Sequence, residues 1–206
     1  MLQHLLISAQ KREQARDLPV FELVNRNSDL VVCAPHASKT FVCKQIKGAD
    51  LYTGEIVSAL GEICQVSTIV RGCFVPYKAL INSFIEENKL EQKSFLDFHG
   101  MRNDRPFDLA IGTGDFEATI YKKELELIKN LAEKYKIRIA INHPDYRGCA
   151  GLTGRLQRKN AAAKVLQLEW RRDFRDFYNC PHNVCEQTMP FMIDLINSLR
   201  LGFHAW

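Results

Sequence analysis

The stretch Ser94-Phe95-Leu96-Asp97-Phe98-His99-Gly100-Met101-Arg102 decides the fold prediction. Its apolar and aromatic residues predict a buried strand that ends in a carboxylate, an imidazole and a glycine. A second apolar run, Leu30-Val31-Val32-Cys33-Ala34-Pro35-His36, also ends in a histidine. Open α/β sheets carry their chemistry at the carboxyl ends of central strands. Two strands that each deliver a histidine to one edge therefore predict a metal site.

The pattern of the whole chain predicts an α/β fold in which strands alternate with helices. Further strands are expected over residues 19–24, 63–70, 108–111, 137–141 and 163–168. Helices are expected after Asp50, from Pro76, over residues 120–135 and from near Thr188. The prediction is a three-layer α/β/α arrangement with a mostly parallel or mixed central sheet and helices on both faces. No linker interrupts the pattern, so residues 1–206 are predicted to form a single domain.

Composition narrows the class of protein. The chain has 206 residues, 46% hydrophobic residues and a formal charge of +4, which is small for a nucleic-acid-binding protein. No apolar run is long enough for a membrane span, and the N-terminal order of charges does not match a signal peptide. Its 7 cysteines show no repeating spacing, which favours a reducing cytoplasm. We expect a cytoplasmic protein with no nucleic-acid or membrane partner, and the oligomeric state stays open.

Polar residues follow or end several predicted strands, and they are His36, Arg71, His99, Asn142 and Glu169. In a mostly parallel sheet these ends converge on one crevice. The set combines two imidazoles, a carboxylate, a guanidinium and a carboxamide, which together can bind a metal and an anionic substrate.

A catalytic zinc commonly takes three protein ligands and leaves its fourth position to water. His36 and His99 are two candidate ligands, and Asp50 is the preferred third, with Glu55 as the alternative. A plain helix N-cap is the other interpretation of Asp50. Asp97 lies two residues before His99 and could orient that ligand through a hydrogen bond.

Glu169 is the candidate general base, which takes a proton from water and passes it to the leaving amine. Its alternative role is a salt bridge to a following arginine. Candidate clamps for a substrate carboxylate are Arg71, Arg102 and Arg155, because arginine can bind a carboxylate through two parallel hydrogen bonds. Asn142 is a further candidate substrate-binding residue.

Five short segments, taken together and in this order, resemble the N-formylglutamate amidohydrolase family, which is related in fold to the zinc carboxypeptidases. They are Ala34-Pro35-His36, Ala49 to Ile56, Asp97-Phe98-His99-Gly100, Asn142-His143-Pro144 with the glycine-rich loop after it, and Gln167-Leu168-Glu169. The glycine-rich loop is predicted to run to Gly154. The resemblance implies a zinc-dependent hydrolase that cleaves the C–N bond of a small N-acyl amino acid. It places one zinc ion on His36, Asp50 and His99, and the catalytic carboxylate on Glu169.

The chain departs from this family after Arg71. Family members usually carry an Asp-x-Asn-Arg segment there, whereas this chain reads Gly72-Cys73-Phe74-Val75-Pro76-Tyr77. The departure motivates an alternative function, a metal-binding or ligand-binding protein that has lost hydrolysis. A cysteine-dependent enzyme is a weaker third hypothesis, because no local sequence signature supports it.

Overall fold

The computed structural model of the protein describes residues 1–14, 17–42, 45–75, 80–116, 118–160 and 164–203, without the side chains of residues 13, 14, 42, 202 and 203. Its strands are β1 Phe21–Val24, β2 Leu30–Ala34, β3 Thr40–Val42, β4 Gln45–Lys47, β5 Ser67–Arg71, β6 Ser94–Met101, β7 Leu109–Gly112, β8 Ile139–Ile141 and β9 Val165–Arg171. Its α-helices are α1 Leu2–Gln14, α2 Thr53–Cys64, α3 Ile81–Glu87, α4 Lys122–Lys134, α5 Leu152–Lys159, α6 Pro181–Asn183 and α7 Met189–Phe203.

A mixed sheet of seven strands forms the centre, in the order β1-β5-β2-β6-β9-β7-β8. The four strands β5, β2, β6 and β9 run parallel to one another. Strand β7 pairs antiparallel with β9, and β8 runs parallel to β7, so both point the opposite way. The carboxyl ends of four adjacent strands therefore meet at one edge of the sheet.

Side chains alternate between the two faces of each strand, and helices cover both faces. On β6, Leu96 and Phe98 pack in the larger core with α1, α2, α4 and α7. Phe95 packs on the other face with the apolar residues of the short helices α3 and α5. This three-layer arrangement confirms the predicted fold class.

Some predicted element bounds were wrong. The segment 63–70 is not one strand, because α2 continues through Cys64 and ends where Gln65 takes a left-handed conformation (φ 51°). The glycine-rich loop, expected to reach Gly154, ends at Gly151 where α5 begins. Helix α1 and the β3–β4 hairpin were not predicted. The predicted helix start at Pro76 and strand start at Ala163 lie outside the described residues. No helix in the described part of the chain has the length and apolar character to span a membrane.

Candidate active site

Two neighbouring parallel strands bring three ionisable side chains to the same face. Asp97 and His99 alternate with the core residue Phe98 on β6, so both point toward the side of α3 and α5. Glu169 lies directly opposite His99 in the β6–β9 register. Register partners on adjacent strands point the same way, and this places a carboxylate beside the imidazole.

His36 and Asp50 reach the same place from loops. His36 follows β2, and its carbonyl accepts a 2.8 Å hydrogen bond from the Asp50 backbone N–H. The His36 and His99 ring centroids are 5.0 Å apart. Asp50 Oδ2 accepts a hydrogen bond from the Gly100 N–H (3.2 Å) and lies 3.4 Å from His99 Nδ1.

Asp50 is not the N-cap of helix α2, which was the other interpretation of this residue. Helix α2 begins at Thr53, its cap residue is Tyr52, and that cap makes no side-chain hydrogen bond. Glu55, the other candidate ligand, lies on α2 with its carboxylate 3.5 Å from Arg12 Nε. The geometry thus favours Asp50 over Glu55 as the carboxylate that accompanies His99.

Asp97 lies behind His99 and is fully buried. Its Oδ1 is 2.9 Å from His99 Nε2, and its Oδ2 accepts a 3.3 Å hydrogen bond from Thr153 Oγ1 on α5. Cys33 Sγ also donates to Oδ1 at 3.6 Å. These contacts fix the Asp97 carboxylate, and they leave the Nδ1 side of the His99 ring turned toward Asp50.

Burial and neighbouring charges shift the pKa values of the site. Burial lowers the pKa of His36 to about 3, and the nearby His99 and Lys47 act in the same direction. Burial alone would lower the pKa of His99, but the Asp97 and Asp50 carboxylates raise it well above its usual value. Burial tends to raise the pKa of Asp50, yet the hydrogen bond and charge of His99 lower it to about 2.

Burial raises the pKa of the Glu169 carboxyl, and the charge of His99 opposes that shift. Gln167, which lies on the same face two residues earlier, donates a 2.9 Å hydrogen bond to Glu169 Oε1. Among the described side chains no arginine forms a salt bridge with Glu169. The two arginines that follow it, Arg171 and Arg172, pair with aspartates instead. A carboxylate with a raised pKa is a stronger base than an ordinary glutamate.

A cavity of about 330 Å³ opens beside His36 and His99. Its cationic wall comes from Lys47 on β4, Arg71 at the end of β5 and Arg155 on α5. The Arg71 guanidinium also stacks on the Phe21 ring, 5.2 Å from its centroid. The other walls are largely apolar and include Phe21, Phe41, Leu80, Ile81 and Leu152. Such a cavity suits a small ligand that carries a negative charge.

Two predicted substrate-binding residues lie elsewhere. The Arg102 side chain is 85% exposed and contacts Asp104 at 3.3 Å. Asn142 follows β8, which runs opposite to the central strands, so it is not at their carboxyl ends, and the pairing through β7 places it two strands away from β9. There its Oδ1 accepts a 2.9 Å hydrogen bond from the Thr113 N–H. The prediction that Asn142 joins the other strand ends was wrong because it assumed a parallel β8.

Several neighbours of the site were not predicted from the sequence. Lys47 arrives on the β3–β4 hairpin, and its Nζ lies 3.9 Å from Asp50 Oδ1. Thr153 arrives on α5, and Arg175 comes from the turn after β9. Only Gln167 had a sequence signal, since its spacing of two from Glu169 puts both on one face of a strand.

The candidate metal-binding groups of the site are His36, Asp50 and His99. Within the described ranges, no group of three His, Cys, Asp or Glu side chains is arranged to hold one. The kinds of donor nevertheless fit zinc, because two imidazoles and one carboxylate are a common ligand set of catalytic zinc sites. His99 also has the carboxylate contact on its second nitrogen that orients many metal-binding histidines.

The architecture defines an α/β protein with a candidate site at the edge of four parallel strands, and comparisons with known proteins agree on the fold. No protein-family model and no curated protein matches the chain. A bacteriophage poly-gamma-glutamate hydrolase structure is similar, with a TM-score of 0.59, 15% identity and coverage of 97% of this chain and 96% of that one.

N-formylglutamate amidohydrolase from Ralstonia eutropha is also similar, with a TM-score of 0.59 and 14% identity over 90% of this chain and 100% of that one. A zinc-free apo form of YNDL gives a TM-score of 0.53 and 13% identity, with coverage of 94% and 95%. At these identities the likeness concerns the fold, and it supports the predicted α/β class.

Proposed function

We propose that this protein is a zinc-dependent hydrolase that cleaves the amide bond of an N-acyl amino acid such as N-formylglutamate. The observation that carries the proposal is the setting of His99. It has Asp97 at one ring nitrogen, Asp50 at the other, and Glu169 opposite in the strand register. Similar folds in structures named as a poly-gamma-glutamate hydrolase and an N-formylglutamate amidohydrolase give further support.

His36, Asp50 and His99 would hold one zinc ion. A bound zinc supplies an activated water and polarises the amide carbonyl. His36 suits a ligand role because its lowered pKa keeps the imidazole neutral. Asp97 holds the far side of the His99 ring and so maintains its orientation.

Glu169 acts as the general base. Gln167 donates a hydrogen bond to its Oε1. The second oxygen, Oε2, takes a proton from the attacking water and passes it to the leaving amine. Arg71, with Arg155 and Lys47 in the same cavity, holds the carboxylate of the substrate. A neutral or cationic amide lacks this attraction, so the cavity favours an acyl amino acid over an uncharged amide.

The test measures release of amine from N-formylglutamate and from a panel of N-acyl amino acids, with zinc-loaded and chelator-treated protein. We expect zinc-dependent turnover that falls at least ~100-fold in Glu169→Gln, the lower range for loss of a general base. The variant should keep its zinc. Glu62→Gln is the matched control, because Glu62 is 57% exposed and pairs with Arg26 away from the site.

Near-normal turnover in Glu169→Gln would remove that residue from the mechanism. A second candidate function is a ligand-binding protein without hydrolysis. Two observations favour it. The sequence departs from the family pattern after Arg71, and the described residues contain no group of three His, Cys, Asp or Glu side chains arranged to hold a metal. Binding of N-acyl amino acids with no zinc-dependent and Glu169-dependent amine release would support that function instead.

A further inference from the structure

Arg175 is an arginine buried behind the candidate site, with only 3% of its surface exposed. It follows a short turn after β9 and donates three hydrogen bonds to backbone carbonyls. Its Nε donates to Trp170 O (3.0 Å), its Nη2 donates to Met101 O (3.2 Å), and its Nη1 donates to Leu51 O. These bonds use the planar, five-donor geometry that distinguishes arginine from lysine.

The three carbonyls belong to three of the chain segments that carry the site, those of Asp50, His99 and Glu169. Leu51 follows Asp50, and Trp170 follows Glu169. Met101 lies two residues after His99 on the same strand. One guanidinium thus joins a loop and the ends of two strands.

The neighbouring backbone is shaped to admit this guanidinium. A Cβ atom on Gly100 would lie 2.3 Å from Arg175 Cζ and 2.4 Å from its Nη2. Any side chain at position 100 would therefore displace the guanidinium. Gly100 also donates its N–H to Asp50 Oδ2 at 3.2 Å, so the glycine and the arginine act on the same carboxylate-bearing turn.

Charge gives Arg175 a second link to the site. Burial lowers the pKa of Arg175, while the Asp50 and Glu169 carboxylates favour its charged form. Its positive charge offsets part of the repulsion between these buried carboxylates.

We propose that Arg175, accommodated by Gly100, is a positioning residue that fixes the chain segments of the candidate zinc ligands Asp50 and His99 relative to each other and to the segment of Glu169. It acts through backbone carbonyls and touches neither the ion nor the substrate. The proposal rests on the proposed function and adds a residue to its supporting framework.

The experiment measures the zinc affinity of the full chain by competition with a chelating dye, with circular dichroism melts to establish that each variant is folded. Arg175→Met should weaken zinc binding about 10- to 100-fold, the usual effect of losing an outer support of a metal site. Arg175→Lys keeps the charge but cannot reach three carbonyls, so it should also bind zinc more weakly than the wild type.

Arg26→Met is the matched control. Arg26 is a partly buried arginine that donates to a backbone carbonyl and to Glu62, at the opposite edge of the sheet where β5 begins. Its loss should leave zinc affinity within twofold of the wild type, as expected for distant, independent sites.

Gly100→Ala completes a double-mutant cycle with Arg175→Met. Alone it should weaken zinc binding because the guanidinium must move, whereas in the Arg175→Met background it should add little. If Arg175→Met fails to fold, Arg175→Lys and Gly100→Ala decide the question.

Wild-type zinc affinity in folded Arg175→Met, or in both Arg175→Lys and Gly100→Ala, would overturn the proposal. Full affinity in Arg175→Lys with weak binding in Arg175→Met would overturn it too, since charge alone would then suffice. These outcomes leave the proposed function intact if the wild type binds zinc. A wild type that binds no zinc would contradict the proposed function itself.

Discussion

The buried carboxylate of Asp108 is predicted to stabilise the strands on one side of the candidate site, and its contribution to the free energy of unfolding can be measured. Its side chain is 4% exposed, and its Oδ2 accepts hydrogen bonds from the Arg138 N–H (2.9 Å) and Nε (3.0 Å). Its Oδ1 accepts from Arg138 Nη2 at 2.7 Å and lies 3.1 Å from Arg171 Nη1. Because Arg138 precedes β8 and Arg171 ends β9, this carboxylate joins the last three strands of the sheet.

The change Asp108→Asn keeps the shape and removes the charge. Hydrogen bonds to charged groups contribute about 1.5–3 kcal/mol when buried. The Arg138 side chain is 60% exposed, so its bonds are worth only the surface value of about 0.2–1 kcal/mol, whereas Arg171 is 16% exposed. We therefore expect a loss of about 2–3 kcal/mol in the free energy of unfolding. For a chain of this length that corresponds to a Tm lower by about 5–10 °C.

The loss should depend on pH. Burial alone raises the pKa of Asp108, but the hydrogen bonds and charges of Arg138 and Arg171 bring it below its usual value. A carboxylate with a lowered folded-state pKa stabilises the protein above its unfolded pKa of about 4, and this stabilisation is lost as the pH falls through the folded-state value. The difference between wild type and Asp108→Asn should be constant near neutral pH and shrink below about pH 4.

Urea unfolding at neutral and acidic pH provides the measurement, with Asp104→Asn as the control. Asp104 is 55% exposed and contacts Arg102 and Arg105, so its change should alter stability by less than about 1 kcal/mol. A neutral-pH loss in Asp108→Asn no larger than that of Asp104→Asn would show that the buried Asp108 carboxylate does not stabilise these strands. A loss of unchanged size at about pH 3 would refute the electrostatic origin of that stabilisation.

Three further predictions concern the site. Asp97→Asn should weaken zinc binding at least about tenfold in a dye-competition titration, because His99 loses the carboxylate that orients it; unchanged affinity would contradict this role. Glu55→Gln should leave that affinity unchanged, because its carboxylate lies beside Arg12, and a large loss would make Glu55 the third ligand. Arg71→Met should raise KM for an N-acyl amino acid about tenfold or more with zinc content unchanged, and an unchanged KM would exclude Arg71 as the carboxylate clamp.

Local sequence patterns were sufficient to predict the elements that carry the histidines. The apolar run before His36 and the run around His99 both form buried strands of the central sheet. Their convergence follows from the parallel pairing of β2 with β6. The Asp97–His99 contact was also predictable, because residues two apart share one face of a strand.

Strand direction was not predictable in the same way. Nothing in the residues around Asn142 distinguishes a strand that runs parallel to β9 from one that runs opposite to it. The direction is set by pairing with β7, which is antiparallel to β9. The Asn142 prediction therefore depended on an assumption about topology.

Contacts between distant segments were likewise hidden. The role of Asp50 depends on a backbone hydrogen bond to His36 and on the proximity of Gly100, fifty positions later in the chain. Arg175 has no local signature, because its partners are carbonyls on three separate segments. Lys47 reaches the cavity on a short exposed hairpin that lacks a hydrophobic alternation to reveal it.

The most direct test of the account is the zinc content of purified protein, measured by elemental analysis for the wild type, His36→Ala and His99→Ala. We predict about one zinc ion per wild-type chain, because three protein ligands form one site. Both variants should remain folded and lose most of their zinc. Absence of stoichiometric zinc in the wild type, or the same content in all three proteins, would contradict the proposed metal site.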